Sequence, residues 1–149
     1  MYKHILISTD GSEVARKGVD QGLALAKALA ARVTIVTVTE RFPAYADGLT
    51  VAYAMSEPLM EQYAKGQDEV AGAILATATQ AADRVGIAVD TLHVRNARPA
   101  EAIIKTAKAR DCSLIAMASH GRRGLRRLVL GSVTSEVLAH SPVPVLVVR

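Results

Sequence analysis

Apolar residues arrive along this chain in short runs, separated by stretches in which they recur every three or four positions. The first run, over residues 4–8, centres on Ile5-Leu6-Ile7 and predicts a strand buried on both faces. Ser12 stands at a helix N-cap position. Beyond it Val14, Gly18, Gly22, Leu25 and Leu29 fall near one face of a helix that ends about Ala31. Residues 32–39 are rich in β-branched side chains and predict a second strand. Between Glu40 and Met55 no period holds. This long connection carries Phe42, Tyr45 and Tyr53, and connections of that length are often functional or mobile.

Ser56-Glu57-Pro58 predicts the start of a second helix, with proline in its first turn, running to about Val85 and stopping at Gly86. Residues 87–95, 113–118 and 143–148 predict the third, fourth and fifth strands. Pro99-Ala100-Glu101 opens a third helix ending near Asp111. Residues 131–140 form a fourth, closed by Ser141-Pro142. Strands alternating with helices imply right-handed crossovers and an open parallel sheet with helices on both faces. The fold class is therefore α/β, in one domain over residues 1–149 with no repeat, linker or low-complexity segment.

Composition narrows the classes. Half of the residues are hydrophobic, which excludes a disordered chain. Aromatics are only 3%, so the core is built from Ala, Val, Leu and Ile, a mix that suits a buried parallel sheet under alanine-rich helices. The single cysteine, Cys112, cannot form an internal disulfide and reads as a small packing residue at a helix–strand junction. The start does not resemble a signal peptide, and no apolar run is long enough to cross a bilayer. The expectation is a soluble cytoplasmic protein with no membrane partner. The net charge is +4, with basic residues mostly spread along helices. The sharpest cluster, Arg122, Arg123, Arg126 and Arg127, has no interleaved aromatics, which argues against nucleic acid as the principal ligand.

The chemistry concentrates where the fourth strand ends. Ala118-Ser119-His120-Gly121-Arg122-Arg123-Gly124 leads through residues 125–130 to Gly131-Ser132-Val133-Thr134 and a helix. Strand, glycine-containing loop and helix N-terminus together make a phosphate-holding arrangement. Glycines let backbone N–H groups approach an anion, and a first helical turn offers unpaired N–H groups at the positive end of its dipole. Ser132 and Thr134 add hydroxyls; Arg122 and Arg123 add charge or are merely solvated. His120 lacks an evident nucleophile or carboxylate partner nearby and reads as a loop hydrogen bonder. Several enzyme signatures are missing: a Walker A loop, a dinucleotide Gly-x-Gly-x-x-Gly, a nucleophile elbow and metal-spaced His or Cys. No catalytic residue or protein-only metal site is identified.

Gly121, nine residues, then Gly131-Ser132 resembles the nucleotide-binding signature of the universal stress protein family. That signature reads Gly, two residues, Gly, nine residues, Gly, then Ser or Thr. The resemblance spans the chain, through Ser8-Thr9-Asp10-Gly11-Ser12, Val36 to Thr39, and the closing Pro142-Val143-Pro144-Val145-Leu146-Val147-Val148. It implies the strand order 3-2-1-4-5, a nucleotide-binding α-hydrolase-like topology, and ATP as ligand. In that order the carboxyl ends of strands 1 and 4, at Thr9-Asp10 and Ala118-Ser119, flank a switch point, where ligands of such sheets bind. By resemblance, the backbone of Val38 reads the adenine edge. Asp10 either accepts a hydrogen bond from the nucleotide or holds Mg²⁺ through water; alternatively it is a turn residue before Gly11.

Ala118 departs from the signature by standing where its first glycine belongs. If that position needs φ > 0, alanine costs about 1 kcal/mol. If it needs only room, one methyl is tolerated. The expectation is weakened ATP binding, with AMP or cyclic AMP as smaller alternatives. The resemblance further implies a homodimer in which strand 143–148, at the sheet edge, pairs with its copy. The expected function is ATP binding in stress response or sensing. Two alternatives stay open: slow ATP hydrolysis or phosphate transfer at the same site, and a nucleotide-independent protein-interaction module.

Overall fold

The computed structural model describes residues 1–41, 56–122 and 129–149. Phe42, Tyr45, Tyr53, Arg123, Gly124, Arg126 and Arg127, singled out above, lie outside the described residues.

Strand β1 (His4–Ser8) is the centre of the sheet. Its side chains alternate between two cores. Ile5 and Ile7 pack with Val33, Ile35, Leu114 and Ala116 beneath helices α1 (Glu13–Leu29) and α2 (Glu57–Val85). Leu6 packs with Val36, Ile115 and Met117 beneath α3 (Pro99–Ala109) and α4 (Ser132–His140). All three β1 residues are fully buried, each worth about 1.5–3 kcal/mol. The remaining strands are β2 (Arg32–Val38), β3 (Val89–Val94), β4 (Leu114–Ala118) and β5 (Val145–Val148). They form one parallel sheet in the order β3-β2-β1-β4-β5, as the resemblance implied.

Small residues set how closely helices lie on the sheet. A Cβ at Gly22 would stand 2.7 Å from Ile7 Cδ1, and one at Gly18 would stand 3.2 Å from the backbone nitrogen of Ala118. Helix α1 therefore lies directly on the ends of β1 and β4. Helix α2 is different. Its 29 residues span about 44 Å, yet its buried residues, Ala71, Ala78, Ala81 and Ala82, all lie from its midpoint onward.

Several boundaries differ from the sequence expectation. Helix α1 ends at Leu29 because Ala30 takes a left-handed conformation (φ 50°) and turns Ala31 into the core. The fifth strand begins at Val145, not Val143. The Ser141 hydroxyl donates to Val143 O (2.7 Å) and accepts from Val143 N (3.2 Å), so a turn holds that residue. Cys112 is buried in the second core, and burial pushes its thiol up to about 11, the behaviour of a packing residue. Among the described residues no helix is long and apolar enough to cross a membrane.

Candidate functional site

Strands β1 and β4 are neighbours, but α1 covers one face of the sheet and α4 the other. A crevice therefore opens at their carboxyl ends, between two loops that part in opposite directions. Thr9, buried, extends the β1 ladder by one bond, its N–H reaching Val36 O at 3.0 Å. The chain then turns at Gly11, whose φ of 78° needs a residue without a side chain. The Thr9 hydroxyl accepts from Gly11 N at 3.2 Å, and Ser12 caps α1 by accepting from Ala15 N at 3.2 Å.

Asp10 ties the two loops together. One carboxylate oxygen accepts from Ser12 N at 2.9 Å, on its own loop. The other accepts from Arg122 N at 2.8 Å, on the loop after β4. The turn role is thus present, and each oxygen keeps a lone pair for a further donor. Gly121 stands where a Cβ would collide with the second of these oxygens. Its bare backbone makes room for Asp10, a reason distinct from approach to an anion.

The loop after β4 is closed by Gly131, whose N–H reaches Ser119 O at 2.8 Å. This N–H is therefore committed to the protein. A Cβ at Gly131 would meet the His120 backbone at 3.1 Å. Here the glycine closes the loop. The Thr134 hydroxyl is also engaged within the protein. Buried, Thr134 donates its hydroxyl proton to Ala118 O at 2.8 Å and so pins α4 to the end of β4. The side chain of Val133 packs on the second core, and Ser132 is exposed. Ser119 is buried, its N–H on Val148 O at 2.7 Å, and its hydroxyl lies 3.0 Å from His120 Nδ1.

What remains open in the crevice is backbone. The first helical bond of α4 runs from Ser135 N to Gly131 O, and no side chain caps the helix. Among the described residues the N–H groups of Ser132, Val133 and Thr134 find no partner, at the positive end of the helix dipole. Across the crevice, Val36 accepts from Thr9 while Thr39 donates to Val94 O (2.9 Å). By alternation along β2, the N–H and C=O of Val38 point to the β1 side, beyond the last β1 bond. Val38 thus presents a donor and an acceptor, and its side chain packs on the second core.

Ala118 raises no backbone difficulty. It ends β4 outside the left-handed region and is 7% exposed. Alternation with Leu114 and Ala116 puts its methyl on the α1 face, under Gly18. The strain that a left-handed backbone would have imposed on alanine is therefore absent, which leaves the reading in which the position needs only room. The Arg122 guanidinium reaches the Gly11 side, where Nη2 lies 3.5 Å from the place of a Gly11 Cβ. Arg123 and Gly124 lie outside the described residues.

One cluster next to Val38 was not legible in the sequence. Thr39 Oγ1 lies 2.8 Å from His93 Nε2, whose Nδ1 lies 3.5 Å from Asp68. Asp68 pairs more tightly with Arg95, at 2.6 Å. Burial, then the Arg95 charge, holds His93 below the usual histidine range, against the pull of Asp68. The cluster joins α2 to the ends of β2 and β3, and its members share no local motif that would signal it. Among the described residues no group of three or more potential ligands could hold a metal ion.

The profile of the Universal stress protein family matches residues 1–149. A universal stress protein from Thermus aquaticus is 33% identical over 149 residues, with all of both chains covered. Universal stress protein YxiE of Bacillus subtilis is 31% identical, again over the whole of both. The solved structure of hypothetical protein MJ0577 is 30% identical with a TM-score of 0.81, covering 99% of this chain and 96% of that one. Two more distant structures share the fold. One is a universal stress protein in complex with cAMP (24% identical, TM-score 0.68, covering 99% and 97%). The other, from Archaeoglobus fulgidus, is in complex with dAMP (18%, 0.67, covering 99% and 98%).

Proposed function

Since the chain belongs to the universal stress protein family, we propose that it binds an adenine nucleotide, ATP in the first place, in the crevice between β1 and β4. Its role on this reading is stress response or sensing in the cytoplasm. The observation that carries the proposal is the pair of open backbone faces. Three unpaired N–H groups, of Ser132, Val133 and Thr134, stand at the start of α4, and the free N–H and C=O of Val38 stand at the end of β2. The first is an anion site. The second is a donor beside an acceptor, the complement of the adenine edge. Ser119, His120, Gly121 and Arg122 form the rim, with Arg123 and Gly124 continuing it in sequence. Asp10 keeps lone pairs for a water on Mg²⁺, which would neutralise phosphate charge. The two fold relatives that hold cAMP and dAMP set adenine monophosphates beside ATP among the ligands to test.

Ser132→Pro tests the anion site. Proline suits the first helical position, and Gly131 before it is extended (ψ 155°), so α4 is retained while one open N–H is removed. Calorimetric titration is expected to show at least a tenfold loss of ATP affinity, about 1.4 kcal/mol. Ser132→Ala controls for the hydroxyl. Equal affinities in parent and Ser132→Pro contradict the assignment. With no general base identified in the sequence, ATP turnover is expected well below about 10 s⁻¹.

We also infer a homodimer through β5. Ile115 N reaches Pro144 O and Ser119 N reaches Val148 O, so alternate residues face β4. The N–H and C=O of Val145 and Val147 therefore point to the open edge, an apolar row that invites strand pairing. Val145→Pro removes one outward donor and no bond to β4. Light scattering is expected to show a weakened dimer; a folded variant that stays fully dimeric contradicts the interface.

A further inference from the structure

Away from the crevice's phosphate side, a groove of about 390 Å³ runs between α1 and α2. It exists because α2 turns small side chains toward α1. Ala78 and Ala81 form the floor with Val19, while Val70 and Ile74 rise on the α2 side. Val70 is 43% exposed, so apolar surface faces water here. The volume falls in the range of small-molecule pockets, which are mostly apolar with a few placed polar groups.

The rim is charged and one-sided. Among the described residues Arg16, Arg84 and Arg122 line it, against the acid Asp20. No ion pair holds any of the three guanidiniums among the described residues; the acids that are paired there, Asp68, Glu101 and Glu136, have other partners. Among the described residues, those that line the groove are aliphatic, polar or charged. An apolar slot between two helices, bordered by uncommitted arginines, complements a ligand with an apolar chain and an anionic end.

We propose that the α1–α2 groove is a binding site for a linear anionic amphiphile, of the class of medium-chain carboxylates. The chain lies along Ala78 and Ala81. The head group meets Arg16 and Arg122, the latter reaching the groove beside Gly11. The groove shares Arg122 with the rim of the crevice but does not include the open N–H groups of α4, and the variants below leave Arg122 in place.

Decanoate is the probe. It is titrated against protein carrying 1-anilinonaphthalene-8-sulfonate as a fluorescent reporter, below the concentration at which decanoate forms micelles. The expected result is saturable displacement by decanoate, and displacement at least fivefold weaker by decanol, which lacks the charge. Arg16 is exposed, so Arg16→Gln keeps the fold and is expected to weaken decanoate at least threefold. Thr77 lines the groove, and Thr77→Trp fills it; that variant is expected to lose displacement while melting as a folded protein. Absence of saturable displacement overturns the proposal. So does equal competition by decanol and decanoate, or unchanged decanoate affinity in both folded variants.

Discussion

The two ends of the sheet treat their backbone polar groups in opposite ways. At the amino end they are paired. The Ser113 hydroxyl accepts from Lys3 N (3.0 Å) and His4 N (3.3 Å) and donates to His4 O (3.1 Å), while Ser113 N also reaches His4 O (2.8 Å). Arg32 N reaches Lys3 O at 2.9 Å, and buried His4 holds Thr34 through Nε2 at 2.9 Å. At the carboxyl end, side chains such as Asp10 and Thr134 fasten the loops, while among the described residues the backbone groups of Val38 and of the first turn of α4 find no partner. Unpaired backbone carries a penalty unless water or a ligand meets it. On the proposed reading, the amino end serves stability and the carboxyl end serves binding.

Substitutions at Asp10 are expected to have the largest effect. Asp10→Ala removes two hydrogen bonds to a charged acceptor and unties the loops. Urea unfolding is expected to show a loss of about 2 kcal/mol, with ATP affinity down more than tenfold. A variant of parental stability and affinity would mean that the bridge is idle. Ser113→Ala is the counterpart at the other end. It is expected to lower stability by about 1 kcal/mol and leave ATP affinity unchanged. A matching loss of affinity would erase the distinction between the ends.

A pH titration sharpens the same contrast. Burial, then the Arg32 charge, lowers the folded-state value of His4, and its Nδ1 is buried without a partner. The unfolded chain then binds more protons than the folded one below about pH 6.5, so stability falls as pH falls through that value. His93, also held low by burial, contributes with the same sign. Urea midpoints measured from pH 7.5 to 5 are expected to decline, and to decline less in His4→Gln. A midpoint that rises on acidification contradicts the sign. The smallest effect is expected at Val38, which offers only backbone to the crevice. Val38→Ile is expected to keep ATP affinity within about twofold, about 0.4 kcal/mol.

The sheet was legible because its signal is periodic. Ile5-Leu6-Ile7 must be buried on both faces, and Pro58, Gly86 and Pro99 punctuate the helices where the structure does. That Asp10 after β1 and the loop after β4 border one crevice was also legible, from the strand order that the resemblance implied. Individual roles were not. That Gly131 N–H is committed to Ser119 O, or that Thr134 serves Ala118, depends on the path of the chain through space. The Ala118 departure looked costly only because sequence shows a missing glycine and not its backbone angle. Strand order came from family likeness, since parallel strands joined by helices carry no local mark of their neighbours.

The most direct test is an ATP titration followed by amide NMR of the ¹⁵N-labelled protein. Saturable shifts are expected at Val38, at Ser132, Val133 and Thr134, and at Asp10 and Arg122. The amides of Lys3, His4, Arg32 and Ser113 are expected to stay in place. Shifts that saturate at the amino end, or no saturable shift at Val38 and the first turn of α4, would contradict the account.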